Sequence, residues 1–410
     1  MNNFAKIIAK AADFPALKKT HNGFPVAYLD GPGGTQVPRQ VIDAIVYYYE
    51  NCNANHDGYF STSIESDQII QNARERMAVF LGSESADTIS FGANMTTLAY
   101  SLSSAFARAF QPGDEVLITQ LDHEANRGPW LKLREYGLEV LEVRINSDGT
   151  LDYDDFQSKL SERTRLVAMG MASNALGTVN DIKRVREWTY NTETHLLVDA
   201  VHYAPHFPID VSALGVDFLL CSAYKFYGPH VGVLYTKPNL LDRFQTDSLR
   251  TQIQHAPHKI ETGTLNHAAL AGVKAAVEYI ASIGEGKSLR AQLVSAMEQI
   301  SRYEHVLAKQ LYDSIRKFNK IKIYGPDMGS DLRTPTVSLT FEGMTAAELC
   351  KKLDEKGICA WDGHFYAIRP VEVLGLLEKG GLTRIGFSLY NRQEEIERVL
   401  GVLNELDKNN

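Results

Sequence analysis

An aspartate and a lysine end two apolar runs in the middle of this 410-residue chain. Leu196-Leu197-Val198 leads into Asp199, Ala200, Val201 and His202, and Phe218–Cys221 leads into Ser222, Ala223, Tyr224 and Lys225. If the runs are neighbouring strands of a parallel sheet, carboxylate and amine face one crevice, because such sheets bind ligands beyond the carboxyl ends of their strands. Pyridoxal phosphate needs this pair, a lysine to form a Schiff base and an acid to keep the pyridine nitrogen protonated. A partly desolvated pocket keeps the amine nucleophilic. His123, in Leu121-Asp122-His123-Glu124-Ala125-Asn126, offers a flat imidazole that can stack on the cofactor ring. The turn Gly92-Ala93-Asn94-Met95-Thr96-Thr97 opens a helix and can hold an anion on its free amides. Singly, these residues read as a cap, a surface charge and a turn; their joint placement after successive strands carries the argument.

The elements that position them alternate in type. Strands are predicted at Thr88–Phe91, Glu115–Thr119, Leu138–Arg144, Leu166–Met171, Leu196–Asp199, Phe218–Cys221 and Val231–Tyr235. Helical periodicity lies between several of them, at Met95–Phe110, Asn126–Tyr136 and Ile182–Tyr190. This alternation predicts an α/β fold with a mostly parallel sheet covered on both faces. Beyond Asn266 the texture changes to helices at Ala269–Ile283, Leu289–Phe318, Ala346–Lys356 and Glu394–Leu406. Short strands are interspersed at Lys320–Tyr324, Thr336–Phe341 and Leu382–Phe387. The expected division is a large domain over 28–265 and a smaller α+β domain over 266–410. An amphipathic N-terminal segment, 1–27, is expected to join the smaller domain.

Composition removes several classes. With 42 Lys and Arg against 50 Asp and Glu, the net charge of −8 leaves no cationic excess for nucleic acid. No apolar stretch approaches the roughly 18 residues of a membrane span. The first residues lack the run and cleavage site of a secretion signal. Four scattered cysteines form no disulfide framework, so a cytoplasmic enzyme is expected. Gly31-Pro32-Gly33-Gly34 has the wrong spacing and place for a dinucleotide fingerprint. Two other classes stay open: a metal hydrolase built on Asp199, His202 and His206, and a cofactor-binding but catalytically silent scaffold.

From Tyr28-Leu29-Asp30 to the last helix, the chain resembles the class V aminotransferase family of fold-type I pyridoxal-phosphate enzymes. The resemblance is to its cysteine desulfurase and selenocysteine lyase branch, and it is strongest in VDAVHYAPHFPIDVSALGVDFLLCSAYKFYGP. It implies a seven-stranded large-domain sheet, Lys225 as the Schiff-base lysine, Asp199 as the pyridine partner and His123 as the stacking histidine. His202 takes the place of a glutamine that bonds the cofactor's ring oxygen. Asn174, in Ser173-Asn174-Ala175-Leu176-Gly177, is implied near that oxygen and the substrate carboxylate. Ala93, Asn94 and Ser222 are implied phosphate contacts, Tyr224 a cofactor neighbour, and Arg384 the clamp for an amino acid's carboxylate. Thr264, in Glu261-Thr262-Gly263-Thr264, matches a threonine supplied across a homodimer.

Three departures bear on activity. Tyr224 replaces the histidine before the lysine, and Ala93-Asn94-Met95 replaces a hydroxyl- and carboxylate-bearing phosphate turn. Where desulfurases of this type carry R-x-G-x-x-C, the chain reads Trp361-Asp362-Gly363-His364-Phe365-Tyr366, with Tyr366 in the nucleophilic cysteine's place. A phenol cannot accept sulfur as a persulfide. The expected reaction is therefore β-elimination at a C–S or C–Se bond without a protein nucleophile, with Tyr366 or His364 as the acid for the leaving group. Transamination and epimerisation remain alternatives.

Overall fold

The computed structural model describes residues 4–329 and 333–408. Seven strands form the main sheet: β1 (Ile89–Gly92), β2 (Glu115–Thr119), β3 (Glu139–Val143), β4 (Thr164–Gly170), β5 (His195–Asp199), β6 (Phe218–Ser222) and β7 (Gly232–Thr236). Their order is β1-β7-β6-β5-β4-β2-β3. The run from β6 to β3 is parallel, and β7 lies antiparallel to both β6 and β1. The strands β2, β6 and β7 are buried along their whole length, as expected of a sheet covered on both faces.

Alternate side chains feed two different cores. Val116, Ile118, Leu197, Leu220 and Leu234 pack with the helix α1 (Met95–Ala109), whose Phe106 meets Phe218 and Phe244. Leu117, Val198, Leu219 and Val233 join the opposite core, with Phe226 and the helices His267–Ala281 and Leu289–Ile315. The second sheet is antiparallel throughout. It comprises β8 (Ile321–Tyr324), β9 (Thr336–Phe341), β10 (Trp361–Gly363) and β11 (Leu382–Gly386), in the order β8-β9-β11-β10.

Residues 27–35 link the two sheets. Ala27–Tyr28 pairs in parallel with Ile358–Cys359, Asp30 bridges to Gly386, and Thr35 bonds the Tyr224 carbonyl. Upstream, Phe14 is fully buried among the rings of Tyr227, Tyr279 and Tyr390.

Among the elements that differ from the sequence expectation, three are informative. The helix expected over Asn126–Tyr136 is broken into a 3₁₀ turn at Glu124–Asn126, a short helix at Gly128–Leu131 and a second 3₁₀ segment at Lys132–Tyr136. Pro129 supplies no amide and fixes a helix start there, so one continuous helix cannot run through. The 21-residue helix Ser61–Leu81 went unread because its buried face includes Ser63, Ser66 and Arg74. Strand β10 is three residues long and contains Asp and Gly, which leaves no alternation to detect. Among the described residues no helix is long and apolar enough to cross a membrane.

Candidate active site

The carboxyl ends of β2, β4, β5 and β6 surround one cavity, lined by Asn94, Asp122, His123, Asn174, Asp199, His202, Ser222, Tyr224 and Lys225. At one end lies the start of α1. Asn94 caps it, its Oδ1 accepting from the Thr97 amide at 2.9 Å, while Ser222 Oγ accepts from the Met95 amide at 3.3 Å. Thr96, between them, faces the cavity. The first-turn amides and the positive end of the helix dipole make this an anion cradle. Gly232 is essential to it, because a Cβ there would stand 2.3 Å from the Asn94 carbonyl carbon.

Asp199 ends β5, buried, with Oδ1 accepting from the Val201 amide at 2.8 Å. Burial raises its pKa to about 6, so it is still chiefly ionised at neutral pH. Asp122 lies across β4 from it. Its Oδ1 accepts from the Gly170 amide at 2.7 Å and its Oδ2 is buried without a partner. Burial lifts this carboxyl further, to about 7, with the Asp199 charge adding to the shift. Gly170 permits the approach, since a Cβ would come within 2.7 Å of Asp122 Oδ1.

His123 accepts from the Ala125 amide through Nδ1 at 3.0 Å, which leaves the hydrogen on Nε2. Burial, with Lys225 and Arg384 nearby, lowers its pKa to about 4, so the ring is neutral. His202 places Nε2 against the hydroxyls of Thr334 and Thr336, at 3.2 and 3.1 Å, and its Nδ1 is buried without a partner. Burial and His206 hold it well below the usual histidine range.

Lys225 is buried, its Nζ donating to the carbonyls of Pro32 and, at 3.1 Å, Gly33. Burial and the Arg384 charge lower its pKa to about 7, so a large neutral fraction exists near physiological pH. A buried lysine with a lowered pKa, a buried carboxylate on the same cavity as an anion cradle, a neutral imidazole and unpartnered polar atoms on the cavity wall together fit pyridoxal phosphate.

Arg384, His364, Tyr366, Ala93 and Thr264 lie around this cavity rather than on its walls. Arg384 is buried, with Nη2 donating to Asp30 Oδ1 at 2.7 Å and Nη1 to the Asn174 carbonyl at 3.1 Å. Its guanidinium carbon stands 4.3 Å from the centre of the Phe365 ring. Asn174 Nδ2 donates to the Phe365 carbonyl at 2.9 Å. Tyr366 is exposed and stacks at 5.9 Å on His123, with His364 edge-on to it at 6.2 Å. Ala93 and Thr264 line a second cavity with Thr97 and His230, and the ring of Tyr224 stacks on His230 at 4.7 Å between the two cavities.

The metal-hydrolase arrangement is not formed. His206 Nδ1 is 2.7 Å from Glu304, whereas His202 turns to the two threonines. Among the described residues the one cluster of suitable metal ligands is His56, Asp57 and Asp67, elsewhere on the chain. Arg369 is ion-paired with Glu142 and Glu372. Sequence reasoning passed over Asp122, Asp30 and Phe365 as site residues. The two aspartates lie inside motifs quoted above, but only the fold shows what their side chains face.

Comparison with known proteins agrees with this geometry. The family model described as aminotransferase class-V matches residues 27–399. A cysteine desulfurase of Pectobacterium atrosepticum is 32% identical over 413 residues, covering 97% of each chain. A probable cysteine desulfurase of Vibrio cholerae is 30% identical, covering 96% of each. Among solved structures, the apo cysteine desulfurase of Thermococcus onnurineus superposes with a TM-score of 0.86 at 26% identity, over 97% of this chain and 99% of that one. A cysteine desulfurase of Escherichia coli in an S-sulfonic acid form gives 0.84 at 26% identity, over 97% and 98%.

Proposed function

The chain belongs to the class-V aminotransferase family and is a pyridoxal-phosphate-dependent enzyme; from that premise we propose that it cleaves a C–S or C–Se bond of an amino acid by β-elimination, without a persulfide cysteine. One observation supports the absence of a persulfide relay above all: none of the four cysteines lines the cavity. Cys52 and Cys221 are buried, and Cys350 and Cys359 are half-buried in the second sheet's surroundings. Burial raises the pKa of all four, that of Cys350 to about 12, so none is a ready thiolate.

In this reading the phosphate would rest on the α1 start with Asn94, Ala93 and Ser222, and Asp199 would pair with the ring nitrogen. His123 would stack on the ring, and His202 and Asn174 would address its oxygen beside Tyr224. Bound there, the cofactor supplies an electron sink for the substrate's α-carbon. Arg384 and Asn174 orient the α-carboxylate. Lys225, already poised between its two protonation states, removes the α-proton. As the Cβ–S bond breaks and a Cα–Cβ double bond forms, Tyr366 protonates the departing sulfur, with His364 at its side. The three-carbon unsaturated amino acid that remains then takes up water and gives pyruvate and ammonia. Thr264 completes the phosphate site from a second copy of the chain, which makes the working unit a homodimer. The four free cysteines suit the reducing cytoplasm.

The test is a visible absorption spectrum of the cofactor-loaded protein before and after L-cysteine, with pyruvate and sulfide assayed. A shifting band with both products supports elimination. Alanine with sulfur held on the protein would instead indicate a persulfide route. A band that shifts while the substrate is only transaminated or inverted at the α-carbon would move the assignment to an aminotransferase or epimerase.

A further inference from the structure

The turn His364–Ala367 roofs the cavity in an unusual backbone conformation. Phe365 and Tyr366 both have positive φ, 54° and 56°, a region where side chains other than glycine are disfavoured. Two hydrogen bonds hold them there. The Phe365 carbonyl accepts from Asn174 Nδ2 at 2.9 Å, and the Tyr366 carbonyl accepts from the Glu124 amide at 2.7 Å. The pinned turn sets Phe365 against the Arg384 guanidinium and Tyr366 against the His123 ring. Strain of this kind persists where the surroundings over-determine it, and it marks positions worth examining for function.

We propose that the Phe365–Tyr366 turn is the wall on which the substrate's side chain packs, and that it selects a neutral, apolar side chain, an alkyl or aryl thioether, over an anionic one. This rests on the amino-acid reading of the site. With the α-carboxylate at Arg384, whose guanidinium lies 4.3 Å from the Phe365 ring, and the α-carbon at Lys225, a side chain directed to the mouth meets this turn, where the Tyr366 ring is exposed. Charge behind the turn argues against an acidic group. Arg127 is paired with Glu124 at 3.3 Å and with Glu142 at 2.5 Å, while Arg369 is paired with Glu142 at 2.8 Å and Glu372 at 2.7 Å. Both guanidiniums are thus already paired with carboxylates, and neither is free to receive an incoming anion.

The experiment titrates the cofactor-loaded enzyme with L-cysteine, S-benzyl-L-cysteine and S-carboxymethyl-L-cysteine, following the cofactor's visible absorbance and, separately, thiol release. Burying the benzyl group should tighten apparent binding about tenfold over L-cysteine. The carboxymethyl compound should bind no better than L-cysteine. Phe365→Ala or Tyr366→Ser should shrink the benzyl preference to less than about threefold, whereas Phe365→Leu, which keeps an apolar side chain, should retain most of it. Equal binding of all three ligands, tighter binding of the carboxymethyl compound, or a preference untouched in both truncated variants overturns the proposal. Absorbance that answers to no amino acid overturns it together with the amino-acid reading. Selective binding without thiol release leaves the wall in place and overturns the elimination chemistry instead.

Discussion

A buried amine is useful as a nucleophile only if enough of it is neutral. For Lys225, burial and the neighbouring Arg384 disfavour the ammonium form more than Asp30 and Asp199 restore it, which places the pKa at about 7. The neutral fraction therefore grows as pH rises through 7. The rate at which cofactor-free protein captures pyridoxal phosphate should climb between pH 6 and 8 with a midpoint near the Lys225 value. Stopped-flow absorbance measures this, and a flat profile would reject a depressed lysine. Arg384 makes a second residue-scale case. Its pair with Asp30 is 2.7 Å long and almost wholly buried. Removing one partner strands the other, so Arg384→Ala should cost about 3–5 kcal/mol of stability besides raising KM for an amino acid. Asp30→Asn combined with Arg384→Gln should be less destabilised than Arg384→Ala, by about 1–3 kcal/mol in urea unfolding. A double variant as unstable as the single would show that the pair is not the source of the loss.

At the scale of elements, the start of α1 does two tasks with one residue. Asn94 satisfies the Thr97 amide, and its own amide donates back to Thr97 Oγ1 at 3.4 Å, a capping box. A cap of this kind contributes about 1 kcal/mol, so Asn94→Ala should lower stability by that amount. The same change should weaken cofactor binding, read by equilibrium dialysis, because the first turn no longer holds its amides toward the cavity. Asn94→Asp would separate the tasks: it keeps the cap but sets a carboxylate beside the expected phosphate, so stability should be preserved and cofactor affinity lost. Wild-type affinity in both variants would move the phosphate site away from α1.

For the whole molecule, the stretch 47–64 concentrates five of the large apolar side chains left exposed. Tyr47, Tyr49, Tyr59, Phe60 and Ile64 are all more than half exposed, and Tyr59 is fully so. Tyr49 lies in a surface cavity with Asn53–Asn55 and Thr264. A patch of this kind on a folded chain marks an interface. A second copy covering it would bring Thr264 toward the neighbouring phosphate site, as the homodimer reading requires. Sedimentation should therefore show a dimer, and Tyr59→Glu with Phe60→Glu should give monomers that release cofactor more readily. Monomeric wild-type protein with full cofactor affinity would exclude a shared site.

Much of this was legible along the chain. The strands carrying Asp199 and Lys225 read clearly, because a parallel sheet buried on both faces needs unbroken apolar runs, and its ligand groups must follow those runs directly. That local logic determined the fold class and the cofactor, and it pointed to Asp199 and Lys225, which line one cavity. It had no access to contacts between residues far apart in sequence. Asp30 and Arg384 meet across 354 positions, and Phe365 and Asn174 across 191. The helix Ser61–Leu81 was hidden for a related reason, since its buried Arg74 is matched by Glu261, 187 positions away. Whether a buried polar side chain is a ligand, a clamp or a packed ion pair depends on the partner that neutralises it, and only the tertiary structure supplies that partner.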